Sequence, residues 1–145
     1  MKTAAEILRT KAIKAVHTIA PTASVFDALT LMAQKNIGAL LVMEGEKIVG
    51  IVTERDYARK VILMSRTSKE TPVSAIMTTE VMYVRPGQTS DECMALMTDS
   101  RIRHLPVMDG GKLVGLVSIG DLVKEIISDQ RFTIEQLEHY IRGEP

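Results

Sequence analysis

An internal repeat constrains the fold of this chain more than any other feature of its sequence. Sliding the 145-residue chain against itself by 65 positions lays residues 19–62 on residues 84–127 without a gap, and 14 of the 44 aligned positions are identical. The identities include the glycine and the acid that mark the same place in each copy: Gly50, Asp56, Gly115 and Asp121. Such self-similarity is typical of a structural unit used twice. The sequence therefore predicts two copies of one folding unit.

Each copy predicts the same order of elements: a short strand, a helix, a hairpin of two strands and a second helix. Ser24 and Thr89 each stand three positions before an acid, which is the capping-box spacing that opens a helix. Apolar residues then recur at helical spacing, and two apolar runs follow on either side of a glycine-containing turn. The predicted elements span 16–19, 25–35, 39–43, 48–52 and 54–64 in the first copy, and 81–84, 90–100, 105–108, 113–117 and 119–127 in the second. The second helices are expected to bury Tyr57, Ala58, Val61, Ile62, Leu122, Val123, Ile126 and Ile127.

The predicted fold class is α+β, with two β-α-β-β-α repeats and a flanking helix at each end. A copy of roughly 60 residues buries too little surface to be robust alone, and its hairpin strands are apolar on both faces. We therefore expect the two copies to pack against each other about a pseudo-two-fold axis. Residues 1–67 are assigned to the front flank and first repeat, 68–130 to the second repeat and 131–145 to the C-terminal helix and tail, with flanking helices over 3–13 and 133–142.

The composition excludes several classes of partner. The chain has 18 cationic and 18 anionic side chains, three Tyr, two Phe and no Trp, whereas a dedicated nucleic-acid binder needs a basic surface and usually stacking rings. Its longest apolar runs are far shorter than the roughly 20 residues that cross a bilayer. Residues 1–6 lead into alternating charges, which does not resemble a secretory signal. The lone Cys93 excludes an internal disulfide framework and favours a reducing, cytoplasmic setting.

Two short motifs carry the chemistry: Thr53-x-x-Asp56 and Ser118-x-x-Asp121, each where a strand ends and a helix begins. One interpretation is structural, because a hydroxyl followed by an acid at this spacing is a capping box. The other uses the same geometry for a ligand. A helix N-terminus and a hydroxyl suit a phosphate, and a carboxylate accepts hydrogen bonds from a vicinal diol such as that of ribose. The glycine before each motif would let another group approach the backbone closely.

The residues around these motifs resemble tandem CBS domains, the paired repeats called a Bateman module. Four segments carry the resemblance: Gly50-Ile51-Val52-Thr53-Glu54-Arg55-Asp56, Gly115-Leu116-Val117-Ser118-Ile119-Gly120-Asp121, His104-Leu105-Pro106-Val107-Met108-Asp109 and Ile76-Met77-Thr78. The resemblance covers about residues 5–127 and implies a stand-alone, non-catalytic regulatory module. Such a module binds AMP, ADP or ATP in clefts between the repeats and commonly forms a disc-like homodimer. The resemblance also implies that Asp56 and Asp121 hold the ribose hydroxyls and that Thr53 and Ser118 lie toward the phosphates.

By the same resemblance, the base lies against the first hairpin strands and the approach strands, at Thr18, Ala39, Leu41, Tyr83, Leu105 and Pro106. Leu40 and Leu105 are better explained as core, and Pro106, which lacks an N–H, predicts a strand that is open on one side. The candidate phosphate cations differ between the copies, which predicts two unequal clefts: Arg55 and Arg59 in the first, and Arg101, Arg103 and His104 in the second. A solvated charged face is the alternative interpretation of these side chains.

Neither catalysis nor metal binding is predicted. The three histidines, His17, His104 and His139, and the one cysteine lack the local pairing of a zinc site. The absence of a nucleophile with a paired base argues against an enzyme acting on nucleotides. Two alternatives remain for a binding module: NAD or S-adenosylmethionine as the ligand, or a protein-interaction module with vestigial ligand sites. In either case an unidentified protein target is compatible with the sequence, and a nucleic acid or membrane partner is not.

Overall fold

The structure, a computed structural model, describes residues 1–11 and 15–143. The chain forms two compact units, each with its own hydrophobic core. Residues 16–82 form the repeat 1 unit, and residues 1–15 together with residues 83–145 form the repeat 2 unit. Both units combine helices with a small sheet, which confirms the α+β class.

The helices and strands follow the predicted order closely. In chain order they are α1 (Ala4–Thr10), β1 (Thr18–Ile19), α2 (Val25–Lys35), β2 (Ala39–Glu44), β3 (Lys47–Thr53), α3 (Glu54–Tyr57) continued by a π-helical turn (Ala58–Ile62), a 3-10 turn (Val73–Ala75), α4 (Ser90–Ser100), β4 (His104–Asp109), β5 (Lys112–Ser118) and α5 (Ile119–Arg142). The predicted bounds of α2 and α4 are confirmed. Ser24 and Thr89 cap these helices as expected, each accepting a hydrogen bond from the N–H of the acid three positions later.

The sheet of the repeat 1 unit has three strands in the order β1-β2-β3. Strand β1 runs parallel to β2, and β2 and β3 form an antiparallel hairpin. Gly45, at φ 60°, supplies the left-handed residue that the hairpin turn requires. The first four residues of β2 are buried, so this strand is covered on both faces, as the sequence predicted.

The sheet of the repeat 2 unit is the hairpin of β4 and β5. The strand predicted over residues 81–84 is wrong in extent, because in that segment only Val84 pairs, through an isolated parallel bridge to Val107. The predicted open edge at Pro106 is also wrong. Pro106 is buried, and its carbonyl accepts a hydrogen bond from the Val84 N–H at 2.9 Å.

Each repeat is completed by a segment that docks beside its first helix. We call residues 71–78 the lead segment of repeat 1 and residues 1–11 the lead segment of repeat 2. The two segments make the same three backbone hydrogen bonds: Val73 N to Ala23 O, Ser74 N to Pro21 O and Val25 N to Thr71 O in one unit, and Ala4 N to Gln88 O, Ala5 N to Pro86 O and Ser90 N to Lys2 O in the other. The compact units therefore divide the chain differently from the predicted grouping 1–67 and 68–130. Residues 1–11 belong to the repeat 2 unit, and residues 71–78 belong to the repeat 1 unit.

The two repeated glycines lie directly under the lead segments. A Cβ added at Gly50 would lie 2.7 Å from Met77 Sδ and 2.9 Å from the Thr78 carbonyl oxygen. A Cβ added at Gly115 would lie 2.7 Å from both methyl carbons of Leu8. The sequence predicted a close approach to the backbone at these glycines, and the approaching group is the chain's own lead segment.

Several helix predictions need correction. The second helix of repeat 1, predicted over 54–64, is α-helical only as far as Tyr57, and the π-helical turn ends at Ile62. The predicted separate helix at 133–142 is instead the end of an unbroken α5, because the Thr133 hydroxyl donates to the Asp129 carbonyl (3.0 Å) and does not cap a new helix. Helix α1 ends at Thr10, and the predicted extension through residue 13 runs into residues outside the described part of the chain. Four side chains expected in the core are exposed: Ala58, Ile62, Val123 and Ile127.

Candidate ligand sites at the capped acids

Both chemistry-bearing motifs form reciprocal capping boxes. The Asp56 N–H donates to Thr53 Oγ1 (3.1 Å), and the Thr53 N–H (2.9 Å) and hydroxyl (3.1 Å) donate to Asp56 Oδ2. In repeat 2 the Asp121 N–H donates to Ser118 Oγ (3.2 Å), and the Ser118 N–H donates to Asp121 Oδ2 (2.9 Å). The structural interpretation of the motifs is therefore confirmed. The capping hydrogen bonds do not occupy all the acceptor positions of either acid, because a carboxylate has about four of them.

The capped helix starts offer fewer donors to an anion than the sequence suggested. The first N–H of each helix, that of Glu54 and of Ile119, donates to a backbone carbonyl at 3.1 and 2.9 Å. The third N–H donates to the capping hydroxyl. Within the described chain, the second N–H, that of Arg55 in α3 and of Gly120 in α5, is the donor that remains for a ligand at each helix start.

A lysine ammonium lies on each acid, and the sequence reasoning missed both lysines. Lys60 Nζ is 3.3 Å from Asp56 Oδ1 and donates to the Ile76 carbonyl at 2.9 Å. Lys11 Nζ is 2.9 Å from Asp121 Oδ2 and donates to the Leu116 carbonyl at 2.7 Å. Lys60 could have been found from its spacing of four residues after Asp56 on one helix face. Lys11 could not, since it lies 105 residues from Leu116 in sequence.

His104 lies beside the second cap, opposite Ser118 in the β4–β5 ladder. Burial lowers the pKa of His104 below its ordinary value, and the charges of Lys11 and Arg103 lower it further, while the carboxylate of Asp121 acts in the opposite direction. His104 is therefore a neutral imidazole near pH 7. It can donate one hydrogen bond to a phosphate, but it does not add the cation that the sequence assigned to it.

The three candidate arginines of the site are exposed: Arg55, Arg59 and Arg103. Arg101, the further cation noted in repeat 2, adopts the left-handed conformation (φ 54°) that ends α4, as Asn36 does at the end of α2 (φ 55°). Its backbone thus has a structural role that needs no ligand. Arg103 contributes its carbonyl to the start of α5, where it accepts from the Ile119 N–H, so its side chain begins next to the second cap.

The candidate base residues fall into two groups in each repeat. Ala39, Leu41, Leu105 and Pro106 are buried, and the core interpretation of Leu40 and Leu105 is confirmed by their complete burial. Thr18 and Tyr83 are exposed. Thr18 pairs with Leu41 in the sheet, and Tyr83 immediately precedes Val84, which bonds to Pro106. Thr18 beside Leu41 and Tyr83 near Pro106 therefore occupy equivalent places in the two repeats, whereas Leu105 is the counterpart of Leu40 and Ala39 is the counterpart of His104.

Other candidate chemistry is not supported by the described residues. Cys93 is fully buried, and burial together with the neighbouring charge of Glu92 raises the pKa of its thiol, as expected for a structural cysteine. In the parts of the chain that the structure describes, no group of three or more His, Cys, Asp or Glu side chains could hold a metal ion. Among the same residues, none of the helices has the length and apolar character needed to cross a membrane.

Comparison with known proteins finds the same repeat. A family model described as the CBS domain matches residues 4–63 and 73–128. The CBS domain-containing protein CBSX3, mitochondrial, of Arabidopsis thaliana is 44% identical over 125 residues, which are 83% of this chain and 61% of that protein, so the chain spans less than two thirds of this relative. The solved structure of a protein with CBS domains from Burkholderia ambifaria, named for a role in signal transduction, is 60% identical with a TM-score of 0.86 and covers 89% of this chain and 96% of that one.

The fold and its two capped acids define a module of two equivalent repeats. The chain belongs to the CBS-domain family and carries two CBS domains in tandem. A third similar structure is the CBS domain pair of protein MJ0100 in complex with 5′-methylthioadenosine and S-adenosyl-L-methionine, with a TM-score of 0.75 over 89% of this chain and 98% of that one. It is 24% identical, so this likeness shows the fold alone.

Proposed function

We propose that the chain is a non-catalytic sensor that binds adenine nucleotides, AMP, ADP or ATP, at Asp56 and Asp121. The observation that carries the proposal is that both repeats place a hydroxyl, an acid and a lysine ammonium at the same junction of strand and helix. A helix cap needs the hydroxyl and the acid but not the lysine. The ammonium offsets the charge of the carboxylate, so that a ligand with phosphate groups is not repelled from an acid that accepts its ribose hydroxyls.

The acids suit a ribose because they are both partly reachable and well fixed. The side chains of Asp56 and Asp121 are 13% and 15% exposed, so a ligand can approach one edge of each carboxylate. The capping N–H groups and the lysines hold the other positions at 2.9 to 3.3 Å. A preorganised acceptor of this kind binds a vicinal diol without a further loss of side-chain freedom.

The phosphates have different partners in the two repeats. In repeat 1 we assign them to the Thr53 hydroxyl, the Arg55 N–H and the exposed side chains of Arg55 and Arg59. In repeat 2 we assign them to the Ser118 hydroxyl, Arg103, Lys11 and a hydrogen bond from neutral His104. The two sites therefore differ in the identity and exposure of their cations, since repeat 1 has two exposed arginines and repeat 2 has exposed Arg103 with the mostly buried Lys11, which supports the expectation of unequal affinities.

The lysines also offer a route from ligand to signal. Each lysine contacts an acid and a backbone carbonyl, and these two contacts together join the lead segment to its repeat. A ligand that shares the carboxylate changes the contacts of the lysine, and hence the attachment of the lead segment. Differential affinity of the ligand for the two arrangements would then shift their populations, which a target protein could read.

The alternatives share the adenosine group. NAD and S-adenosylmethionine contain the same ribose and base, and the ligands of the MJ0100 pair belong to this class. A protein-interaction module with vestigial sites is the second alternative. We also propose that the chain acts as a homodimer in the cytoplasm, where a fully buried single cysteine needs no oxidising compartment.

The proposal is tested by thermal unfolding of the chain with AMP, ADP, ATP, NAD and S-adenosylmethionine, each at about 1 mM. This concentration is chosen to be about 100 times a dissociation constant near 10 μM. We expect one adenine nucleotide to raise the unfolding temperature by several degrees, and mass spectrometry of the freshly purified protein to detect the same compound. If NAD or S-adenosylmethionine alone is effective, the ligand assignment changes within the adenosine class. If none of the five has an effect, the sites are vestigial and the interaction-module alternative is favoured.

A further inference from the structure

The last part of α5 carries apolar side chains that no described part of the chain covers. Every residue over 127–143 is exposed, although this stretch includes six large side chains of apolar or aromatic character: Ile127, Phe132, Ile134, Leu137, Tyr140 and Ile141. Helices in proteins owe most of their stability to the packing of an apolar face. The 24 residues of α5 therefore extend well beyond the part that the repeat 2 unit itself stabilises.

Most of the exposed aliphatic residues of α5 fall on one face at heptad spacing. Val123, Ile127, Ile134, Leu137 and Ile141 are separated by four, seven, three and four positions, and Gln130 divides the interval of seven into three and four. This alternation is the a and d pattern of a coiled coil. Isoleucine occupies all three a positions, and Val123, Gln130 and Leu137 occupy the d positions. We call these six residues the seam.

The chemistry of the seam identifies its partner as a second copy of the same helix. Isoleucine at every a position, with leucine at one of the three d positions, favours two parallel strands. In a parallel pair, Gln130 faces Gln130 of the second copy, and each amide can donate to the other. In an antiparallel pair Gln130 faces Ile134 of the second copy, which leaves two amides buried without partners. The antiparallel pair would gain an ion pair between Lys124 and Glu138 of the second copy. Because this ion pair is exposed, it contributes less than the two buried amides without partners cost.

We propose that residues 123–141 of α5 form a parallel two-stranded coiled coil with a second copy of this chain. The contact is about 28 Å long, at 1.5 Å per residue, and the pairing of Gln130 with its counterpart fixes its register. The inference deepens the proposed self-association by assigning it a surface, and it does not depend on the adenine-nucleotide proposal.

Sedimentation velocity of the full chain and two matched variants tests the surface. Ile134→Asp places a charge in the seam, and Phe132→Asp places the same charge two residues away on the opposite face, at a side chain that is also exposed (53% and 64%). We expect the wild type to be a dimer, Ile134→Asp to weaken the dimer about 100-fold, and Phe132→Asp to leave it within about threefold. Both variants should retain the wild-type circular dichroism of the folded repeats.

A cysteine variant tests the orientation. With the native thiol removed by Cys93→Ala, Leu137→Cys places two thiols at one d layer in the parallel pair, where a disulfide can form. In the antiparallel pair the same thiols are about 15 Å apart along the axis and cannot join. A cross-linked dimer under mild oxidation supports the proposal. The proposal is overturned if Leu137→Cys does not cross-link, or if Ile134→Asp remains as dimeric as Phe132→Asp, in which case self-association uses another surface. A monomeric wild type overturns both this inference and the proposed homodimer.

Discussion

The two repeats fix equivalent acids with lysines from different parts of the chain. In repeat 1, Lys60 follows Asp56 by one helical turn and reaches out to the lead segment at the Ile76 carbonyl. In repeat 2, Lys11 belongs to the lead segment and reaches into the repeat, to Asp121 and the Leu116 carbonyl. In both repeats the acid and the lead segment are joined through one ammonium group. The difference lies in which of the two partners carries it.

The position that holds Lys60 in repeat 1 holds Glu125 in repeat 2. Glu125 cannot pair with Asp121 one turn earlier, since both are acids. It is buried and pairs with Lys2 of the lead segment at 3.2 Å, and its second oxygen, Oε1, is buried without a hydrogen-bond partner in the structure. The helix of repeat 2 thus has no cation at this position, and its lead segment supplies two, Lys2 and Lys11. The comparison shows that the two repeats place an ammonium on the equivalent acid with lysines from different segments of the chain.

The largest expected difference between the repeats concerns the glycines under the lead segments. Gly50→Ala would place a Cβ against the backbone oxygen of Thr78, which cannot move without shifting the lead segment, whereas Gly115→Ala meets only the methyl groups of Leu8, which can rotate. We expect Gly50→Ala to lower the free energy of unfolding by about 3 kcal/mol and Gly115→Ala by about 1 kcal/mol. Urea denaturation of the two variants measures the difference. Equal losses would show that the two lead segments pack equally tightly.

A smaller difference is expected at the lysines. Lys11 is 22% exposed and 2.9 Å from its acid, and Lys60 is 44% exposed and 3.3 Å from its acid. We expect Lys11→Met to cost about 1 to 2 kcal/mol of unfolding free energy, because it leaves a mostly buried carboxylate without its cation. Lys60→Met should cost about 0.5 kcal/mol or less, since solvent screens the half-exposed ammonium of Lys60, and the mostly buried carboxylate of Asp56 keeps two hydrogen bonds from Thr53.

Hydrogen exchange identifies where the loss acts. In Lys11→Met the amides of α1 should exchange faster than in the wild type, because the lead segment of repeat 2 has lost a tether. Arg9→Met is the matched control, since Arg9 lies on the same helix and is exposed. If Arg9→Met loosens α1 as much as Lys11→Met does, the contact with Asp121 is not what holds the segment.

The smallest expected effect is a pH dependence that His104 contributes in repeat 2. The pKa of His104 is lowered in the folded chain, mainly by burial, so the unfolded chain binds a proton that the folded chain does not as the pH falls below about 6.5. Stability contributed by neutral His104 is therefore present above that pH and is lost progressively as the pH falls below it. His104→Ala, which makes repeat 2 like repeat 1 at Ala39, should reduce the slope of unfolding free energy against pH in this range. An unchanged slope would mean that other groups dominate it.

The sequence predicted those parts of the fold that depend on local signals. The bounds of α2 and α4 follow from their caps and apolar periodicity, and the hairpins follow from glycine turns between apolar runs. The capped acids were found for the same reason. The break before Thr133 was misjudged, because a hydroxyl and an acid at capping distance also occur inside a helix, where the hydroxyl bonds back to the preceding turn. The helix predicted over 54–64 was wrong at its end, because apolar periodicity does not signal the π-helical turn that ends at Ile62.

What the sequence could not provide are contacts between distant segments. The docking of residues 1–11 on repeat 2 and the ammonium of Lys11 on Asp121 depend on the packing of the whole unit. Periodicity also predicted that Val123 and Ile127 are core, because a seam for a second helix and a face for the chain's own core have almost the same spacing. The exposure of these side chains distinguishes the two.

The claim that the capped acids are the nucleotide sites is tested most directly by titration calorimetry of one double variant. Asp56→Asn with Asp121→Asn keeps an oxygen acceptor for each cap while removing the charge and one acceptor from each site. Asp109→Asn, at the exposed end of β4, is the control. We expect the wild type and Asp109→Asn to bind the same adenine nucleotide with equal affinity, and the double variant to show no measurable binding while it remains folded. Binding by the double variant with wild-type affinity would contradict the account.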